Sequence, residues 1–258
     1  MSEILRVENL KKSYDGFVAV NGVSFSVAKG ELKALIGPNG AGKSTCFNML
    51  TGQHRPTEGE VFLDGENITG RKTRDVWRKG VGRTFQITGT YQSMTVIENV
   101  QMALMSHHRK LFSMVPRAWK LYRDEAFEFL ETVAMADQAD RPCSVLAYGD
   151  LKRLELAIAL THRPRLLLMD EPTAGMAPSA RIELMQLVAD IVRDQGVSVL
   201  FTEHDMDVVF AHAHHIMVLN RGELIADGSV SEVRNNPQVQ EVYLGGGTLF
   251  KEEEDAHA

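Results

Sequence analysis

Near the start of the chain, apolar and polar positions alternate with a period of two. Val23, Phe25 and Val27 are separated by Ser24 and Ser26, the pattern of a strand with one buried face. Ile4, Leu5, Val7 and Leu10 precede them, and Tyr14-Asp15-Gly16 marks a turn. Lys29-Gly30 then turns the chain into 31–36, where Leu32, Ala34, Leu35 and Ile36 predict another strand, so 4–36 reads as strands throughout. A glycine-rich stretch follows and opens a helix over about 43–51. Thr57-Glu58-Gly59 predicts a turn, and 60–63 a further strand.

The period changes in the middle of the chain. From about 95 to 136 it is helical: Val96, Val100, Ala103 and Leu104 share one face, and Phe127, Leu130 and Val133 share the face of a second helix. Between them, 106–123 is basic and aromatic, with His107, His108, Arg109, Lys110, Phe112, Arg117, Trp119, Lys120 and Tyr122. It reads first as a solvated helix surface; a face toward lipid headgroups or a membrane partner is the alternative. From Arg165 the pattern becomes α/β. Residues 166–169 are a continuous apolar run, as in a parallel strand buried on both faces. Pro178 opens a helix with Ile182, Met185, Val188, Ile191 and Val192 as its apolar stripe, and Gly196 ends it. Further strands are expected at 197–201 and 216–219. The acidic tail 251–258 is expected to be disordered. The organisation is an α/β core interrupted by a mainly helical insertion at about 87–160, without internal repeats.

Composition narrows the function classes. Lys and Arg number 28 against 34 Asp and Glu, a net charge of −6, which argues against a chain whose main task is gripping nucleic acid. Two cysteines, Cys46 and Cys143, make no disulfide framework and fit a reducing compartment. The opening MSEILRVENLKK mixes charges into its apolar residues and predicts no signal-peptide core. No apolar run approaches the ~18 residues that span a bilayer. Any work at a membrane is therefore expected to go through a partner.

The chemistry begins at Gly37-Pro38-Asn39-Gly40-Ala41-Gly42-Lys43-Ser44, which is G-x-x-x-x-G-K-[ST] after an apolar strand and before a helix. Glycines allow positive φ and close approach of N–H groups to phosphate oxygens, and the helix N-terminus adds partial positive charge. Lys43 is expected to reach the β- and γ-phosphates, Ser44 to bind Mg²⁺, and Thr45 to donate to the α-phosphate. Cys46, one turn into the helix, is expected to pack.

A magnesium nucleotide site also needs a carboxylate at the end of a neighbouring strand. Leu166-Leu167-Leu168-Met169-Asp170-Glu171 supplies it. Asp170 is assigned to Mg²⁺, through water, and Glu171 to polarising the attacking water as general base. His204, in Thr202-Glu203-His204-Asp205 after the next strand, is placed to donate to the γ-phosphate and orient that water. His212, His214 and His215 invite a metal reading, but their spacing on a helix would spread them over different faces.

Together these residues resemble the nucleotide-binding subunit of ATP-binding cassette (ABC) transporters, over about 4–245. The resemblance implies an α/β fold: a P-loop NTPase core with an N-terminal antiparallel β subdomain and a helical insertion. One domain would span 1–250, with the RecA-like core and β subdomain at about 1–86 and 161–245 and the helical subdomain at about 87–160. It implies further roles. Tyr14 matches the aromatic that stacks on adenine, and Gln86 in Arg83-Thr84-Phe85-Gln86 matches the glutamine that senses Mg²⁺ and the transmembrane partner. His204 matches the switch histidine. The family signature, usually L-S-G-G-Q, reads Leu146-Ala147-Tyr148-Gly149-Asp150 here. Ala147 lacks the usual hydroxyl and Asp150 replaces an amide, while the Gly149 N–H remains available to an anion.

Members of this family act as dimers, each ATP lying between one subunit's phosphate loop and the other's signature helix, here Tyr148, Gly149 and Asp150. The resemblance thus implies a second ABC ATPase chain, identical or related. It also implies two integral-membrane permeases and, indirectly, a periplasmic or extracellular solute-binding protein. The location implied is peripheral, on the cytoplasmic face of the membrane, with ATP and Mg²⁺ as ligands and no nucleic acid. Ala174-Gly175-Met176-Ala177-Pro178 looks like the dimer-contact loop. Within the superfamily, Val81-Gly82-Arg83-Thr84-Phe85-Gln86, Met94-Thr95-Val96-Ile97-Glu98-Asn99-Val100 and Glu241-Val242-Tyr243-Leu244-Gly245 resemble the ATPase of branched-chain amino-acid importers. Two alternatives stay open: an ATPase for lipid or lipopolysaccharide extraction, and a soluble non-transport cassette. The latter usually carries two cassettes or a long coiled-coil insertion.

Overall fold

The computed structural model describes residues 2–84, 90–108 and 122–244. Strands β1 (Glu3–Tyr14) and β2 (Phe17–Ala28) form a hairpin around Asp15-Gly16, and β4 (Glu58–Leu63) and the short β5 (Glu66–Asn67) extend it into an antiparallel sheet ordered β2-β1-β4-β5. The second sheet is parallel at its centre. It contains β3 (Leu32–Ile36), β6 (Val81–Thr84), β7 (Leu166–Asp170), β8 (Ser198–Thr202) and β9 (His215–Asn220), with β10 (Glu223–Gly228) antiparallel at one edge, in the order β10-β9-β3-β8-β7-β6.

Every residue of β3, β7 and β8 is buried, which explains their nearly unbroken apolar runs. Alternate side chains enter different cores. Leu35, Leu166, Leu168 and Leu200 pack with the N-terminal sheet and with Phe47 and Leu50 of α1 (Lys43–Leu50). Ala34, Ile36, Leu167, Met169 and Phe201 pack on the opposite face with helical residues. Those come from α3 (Val96–His107), α4 (Arg123–Thr132), α5 (Tyr148–Leu160), α6 (Pro178–Gln195) and α7 (Met206–His212). The central sheet is thus a buried layer whose strand ends are the free places for chemistry.

Local signals set several helix ends. Thr95 and Glu98 form a reciprocal capping box at the start of α3, satisfying two backbone donors. Pro178 begins α6, and Gly196, at φ 67°, ends it. Short α2 (Thr73–Arg78), α8 (Val230–Arg234) and α9 (Pro237–Leu244) complete the described elements apart from 3-10 turns. Among the described residues, no helix is long and apolar enough to cross a membrane.

Four expectations need correction. Glu58 and Gly59 belong to β4 and not to a turn; the strand starts early because Lys11 pairs with Glu58 beyond a register shift. Phe127 is half exposed: α4 turns Ala126, Leu130 and Val133 inward, and the small Ala126 carried little weight in the sequence pattern. Ile182 is exposed, and Leu184 replaces it in the buried stripe of α6. His212, His214 and His215 do not share a helix: His212 ends α7 and His215 begins β9. Residues 109–121, the tail 251–258 and Gly245 lie outside the described residues.

Candidate active site

The carboxyl ends of β3, β7 and β8 bring the predicted chemical groups together. The loop after β3 carries φ of 151° at Gly37, 80° at Gly40 and 107° at Gly42. Two of these positions exclude a side chain. A Cβ on Gly37 would lie 2.0 Å from the Leu219 carbonyl oxygen, and one on Gly42 would lie 2.5 Å from that of Ala19. Gly42 is also the N-cap of α1, and no side-chain hydrogen bond caps that helix among the described residues. Its first N–H groups are therefore left for an external acceptor.

Lys43 is buried and donates to the carbonyl oxygens of Gly37, at 2.6 Å, and Pro38, at 3.2 Å. Burial pushes its pKa down, against the opposing pull of Glu171 and Asp170. Ser44 is exposed on the first turn of α1. Pro38, Asn39, Gly40 and Ala41 also line a cleft of about 590 Å³ shared with Asn220, Arg221 and α9. Cys46 faces the core, and burial pushes its thiol up to about 12, so it is a packing residue.

Asp170, the last residue of β7, is buried and held on both oxygens. Thr202 donates its hydroxyl to Oδ1 at 2.9 Å, and Arg83 donates from Nη2 to Oδ2 at 3.1 Å. Glu171 follows with φ 48°, a conformation that costs a non-glycine residue roughly 1–3 kcal/mol. Its N–H donates to the carbonyl and hydroxyl oxygens of Thr202, which hold the turn. The result aims Glu171 Oε1 at His204 Nε2, 2.8 Å away. Hydroxyl and carboxylate oxygens of this kind, Ser44 and Asp170, are the hard donors that Mg²⁺ prefers. The loop and the donor set therefore fit a magnesium nucleotide.

Other predicted residues lie apart. Tyr14 sits at the tip of the β1–β2 hairpin, its ring beneath Lys12 Nζ at 4.9 Å and edge-on to His54. Tyr148, Gly149 and Asp150 open α5 and line a separate cleft of about 320 Å³ with Gly175, Met176 and Ala177. Asp150 lies in the first turn of α5, where a carboxylate favours the helix dipole. Gln86 lies outside the described residues. His214 accepts from the Leu32 N–H and His215 pairs with Glu31, so both have structural partners.

Sequence reasoning missed three groups around the site. Glu203, buried, accepts from the Thr173 N–H and hydroxyl and from the His204 N–H, and so fixes the loops on either side of the Glu171–His204 contact. Arg83 and Thr202 hold Asp170. They lie inside the segments Arg83-Thr84-Phe85-Gln86 and Thr202-Glu203-His204-Asp205, but nothing there gives them these roles, because Thr173 and Asp170 lie 30 or more residues away in the chain. Phe17 pairs with Tyr14 across the hairpin and is 66% exposed.

The family model described as ABC transporter matches residues 20–174. The chain belongs to the ABC transporter family. A second model, branched-chain amino acid ATP-binding cassette transporter, matches residues 223–248 of this cassette. The high-affinity branched-chain amino acid transport ATP-binding protein BraF of Pseudomonas aeruginosa is 41% identical over 249 residues, covering 94% of this chain and 98% of that protein. The LivG protein of Escherichia coli, of the same description, is 38% identical over 252 residues, with 94% and 98% covered. The crystal structure of the ADP conformation of MJ1267, an ATP-binding cassette of an ABC transporter, superposes with a TM-score of 0.84 at 32% identity over 95% of this cassette and all of that chain. A dimeric cassette, MJ0796 in a post-hydrolysis state bound to ADP and Pi, superposes with a TM-score of 0.72 at 25% identity over 88% of this chain and 98% of that one. The cassette fold and the nucleotide-binding ATPase class are therefore those expected from the sequence.

Proposed function

We propose that this cassette is the ATP-hydrolysing subunit of an importer for branched-chain amino acids or related small polar solutes, working beneath two permeases at the cytoplasmic face of the membrane. The observation that carries the hydrolytic part is the 2.8 Å contact between Glu171 and His204 at the strand ends beside Lys43 and Asp170. The amino-acid class is supported by the relatives' names and by the C-terminal family match at 223–248.

The phosphate loop and the N-terminus of α1 bind the phosphates, with Thr45 as a further donor, and Lys43 leaves its carbonyl partners for the β- and γ-phosphates. Tyr14 stacks on adenine. Ser44 and Asp170, with Gln86, would hold Mg²⁺, which when bound would neutralise charge on the phosphates. Glu171 takes the proton of the attacking water as its oxygen bonds to the γ-phosphorus and the bond to the ADP oxygen breaks. His204, oriented by its contact with Glu171, donates to the γ-phosphate. Tyr148, Gly149 and Asp150 complete the site of a second cassette, and residues at about 87–160 act as the helical subdomain.

Replacing Glu171 by Gln keeps the shape and removes the base. With partners supplied, hydrolysis should fall about 10²–10⁴-fold, while ATP binding persists and the closed pair accumulates. Wild-type turnover by this variant would reject the general base.

A further inference from the structure

Arg83 is a cation in the middle of β6, with a side chain only 14% exposed. Its guanidinium reaches in two directions. Nη2 donates to Asp170 Oδ2 at 3.1 Å, while Nη1 donates to Asn48 Oδ1 at 2.8 Å and Gln53 Oε1 at 3.1 Å. Nη1 also lies 3.4 Å from the Thr51 hydroxyl. The buried Nε has no partner among the described residues. Keeping an unpaired donor there is unfavourable, so packing alone would favour an apolar residue at this place.

The partners define what the fork does. Asn48 lies on α1, the helix that carries Lys43 and Ser44, and Gln53 lies three residues beyond the end of that helix. Asp170 ends β7, the neighbour of β6. Arg83 therefore spans the phosphate-loop helix and the strand-end carboxylate. Thr202, from β8 on the other side of β7, holds the second carboxylate oxygen. Each oxygen keeps a further lone pair for an outside cation or its water. A lysine could meet Asp170 as a point charge but has no planar fork to serve both sides.

We propose that Arg83 is a positioning residue for the cation site. Anchored by Asn48 and Gln53, it fixes the orientation of Asp170 and so sets how tightly Mg²⁺ is held with the nucleotide. This rests on the ATPase reading. A purely structural Arg83 would instead tie β6 to α1, and its loss would weaken the phosphate loop whether or not metal is present.

The test measures binding of the non-hydrolysable analogue AMPPNP to the full-length chain, in EDTA and across a Mg²⁺ titration. Arg83→Ala should raise the half-saturating Mg²⁺ concentration about 10–100-fold, the usual cost of removing a group that orients a metal ligand. Its affinity in EDTA should not change. Arg83→Lys should fall between the two. Asn48→Ala combined with Gln53→Ala leaves Arg83 in place but frees its anchored end, and should shift the Mg²⁺ requirement the same way by less. An unchanged Mg²⁺ requirement in Arg83→Ala overturns the proposal, as does an equal loss of affinity in EDTA. If Arg83→Ala does not fold, the lysine variant and the Asn48/Gln53 pair decide by the same criteria. Failure of the ATPase reading would show separately, as wild-type protein that does not respond to Mg²⁺ at all.

Discussion

Alanine at Gly37 tests the phosphate loop most directly. The new Cβ would stand 2.0 Å from the carbonyl oxygen of Leu219 and 3.1 Å from the Ala41 Cβ. The first obstacle is backbone of β9, which is bound to β3 in the same sheet and has no rotamer with which to retreat. The backbone at φ 151° adds strain of about 1–3 kcal/mol for an L-residue. Overpacking adds about 1–3 kcal/mol more. The sum, about 2–6 kcal/mol, corresponds to a loss of roughly 4–24 °C in Tm for a chain of this size. Gly40→Ala is the matched control: its φ is 80°, but its Cβ would meet nothing within 4 Å. That variant should lose only the left-handed backbone term, about 1–2 kcal/mol. Thermal melts of the two variants, followed by fluorescence titration with ATP, compare stability and binding. Gly37→Ala should melt well below Gly40→Ala and bind ATP poorly. Equal melting temperatures would refute the close approach of the loop to β9.

Other expectations follow from the same geometry. His204→Ala should lower the hydrolysis rate by about 10²–10³-fold, as loss of a single aimed donor does, with ATP affinity near wild type; a rate within a few-fold of wild type would sink its role. His162 packs against Trp77 with ring centroids 4.9 Å apart, and burial, helped by His107, pushes its pKa down to about 4. The unfolded chain, with histidine near 6.5, then binds one more proton between those values, so stability is lost as pH falls through that window and is insensitive to this group above it. His162→Gln should flatten the drop in unfolding free energy, measured by urea melts between neutral pH and about pH 5, by roughly 2 kcal/mol; an unchanged slope would contradict the assignment. Cys46 and Cys143 are buried, with thiol pKa values pushed up by desolvation. Neither should react with a disulfide reagent at pH ~8 until the protein unfolds, and fast labelling of native protein would contradict their burial.

What the residues alone determined is local. The phosphate loop, the stop at Gly196, the strand β3 and the buried run of β7 depend on neighbours within a few positions or on the period of apolar side chains, and both can be read along the chain. The hairpin of β9 and β10 escaped that reading, although Arg221 and Gly222 both take positive φ, 48° and 82°, as a tight primed turn requires. Arginine is a weak signal for such a turn. Phe127 and Ala126 show a second limit: both spacings fit a helix, and only the packing of α4 selected the smaller residue. The tertiary structure alone decided the surroundings of the site. Arg83 meets Asp170 across 87 positions, Thr202 meets it across 32, and Glu203 meets Thr173 across 30. Such pairs have no periodicity to betray them, because strands adjacent in a parallel sheet are joined by long crossovers, and the pairing of their ends appears only once the whole sheet has closed.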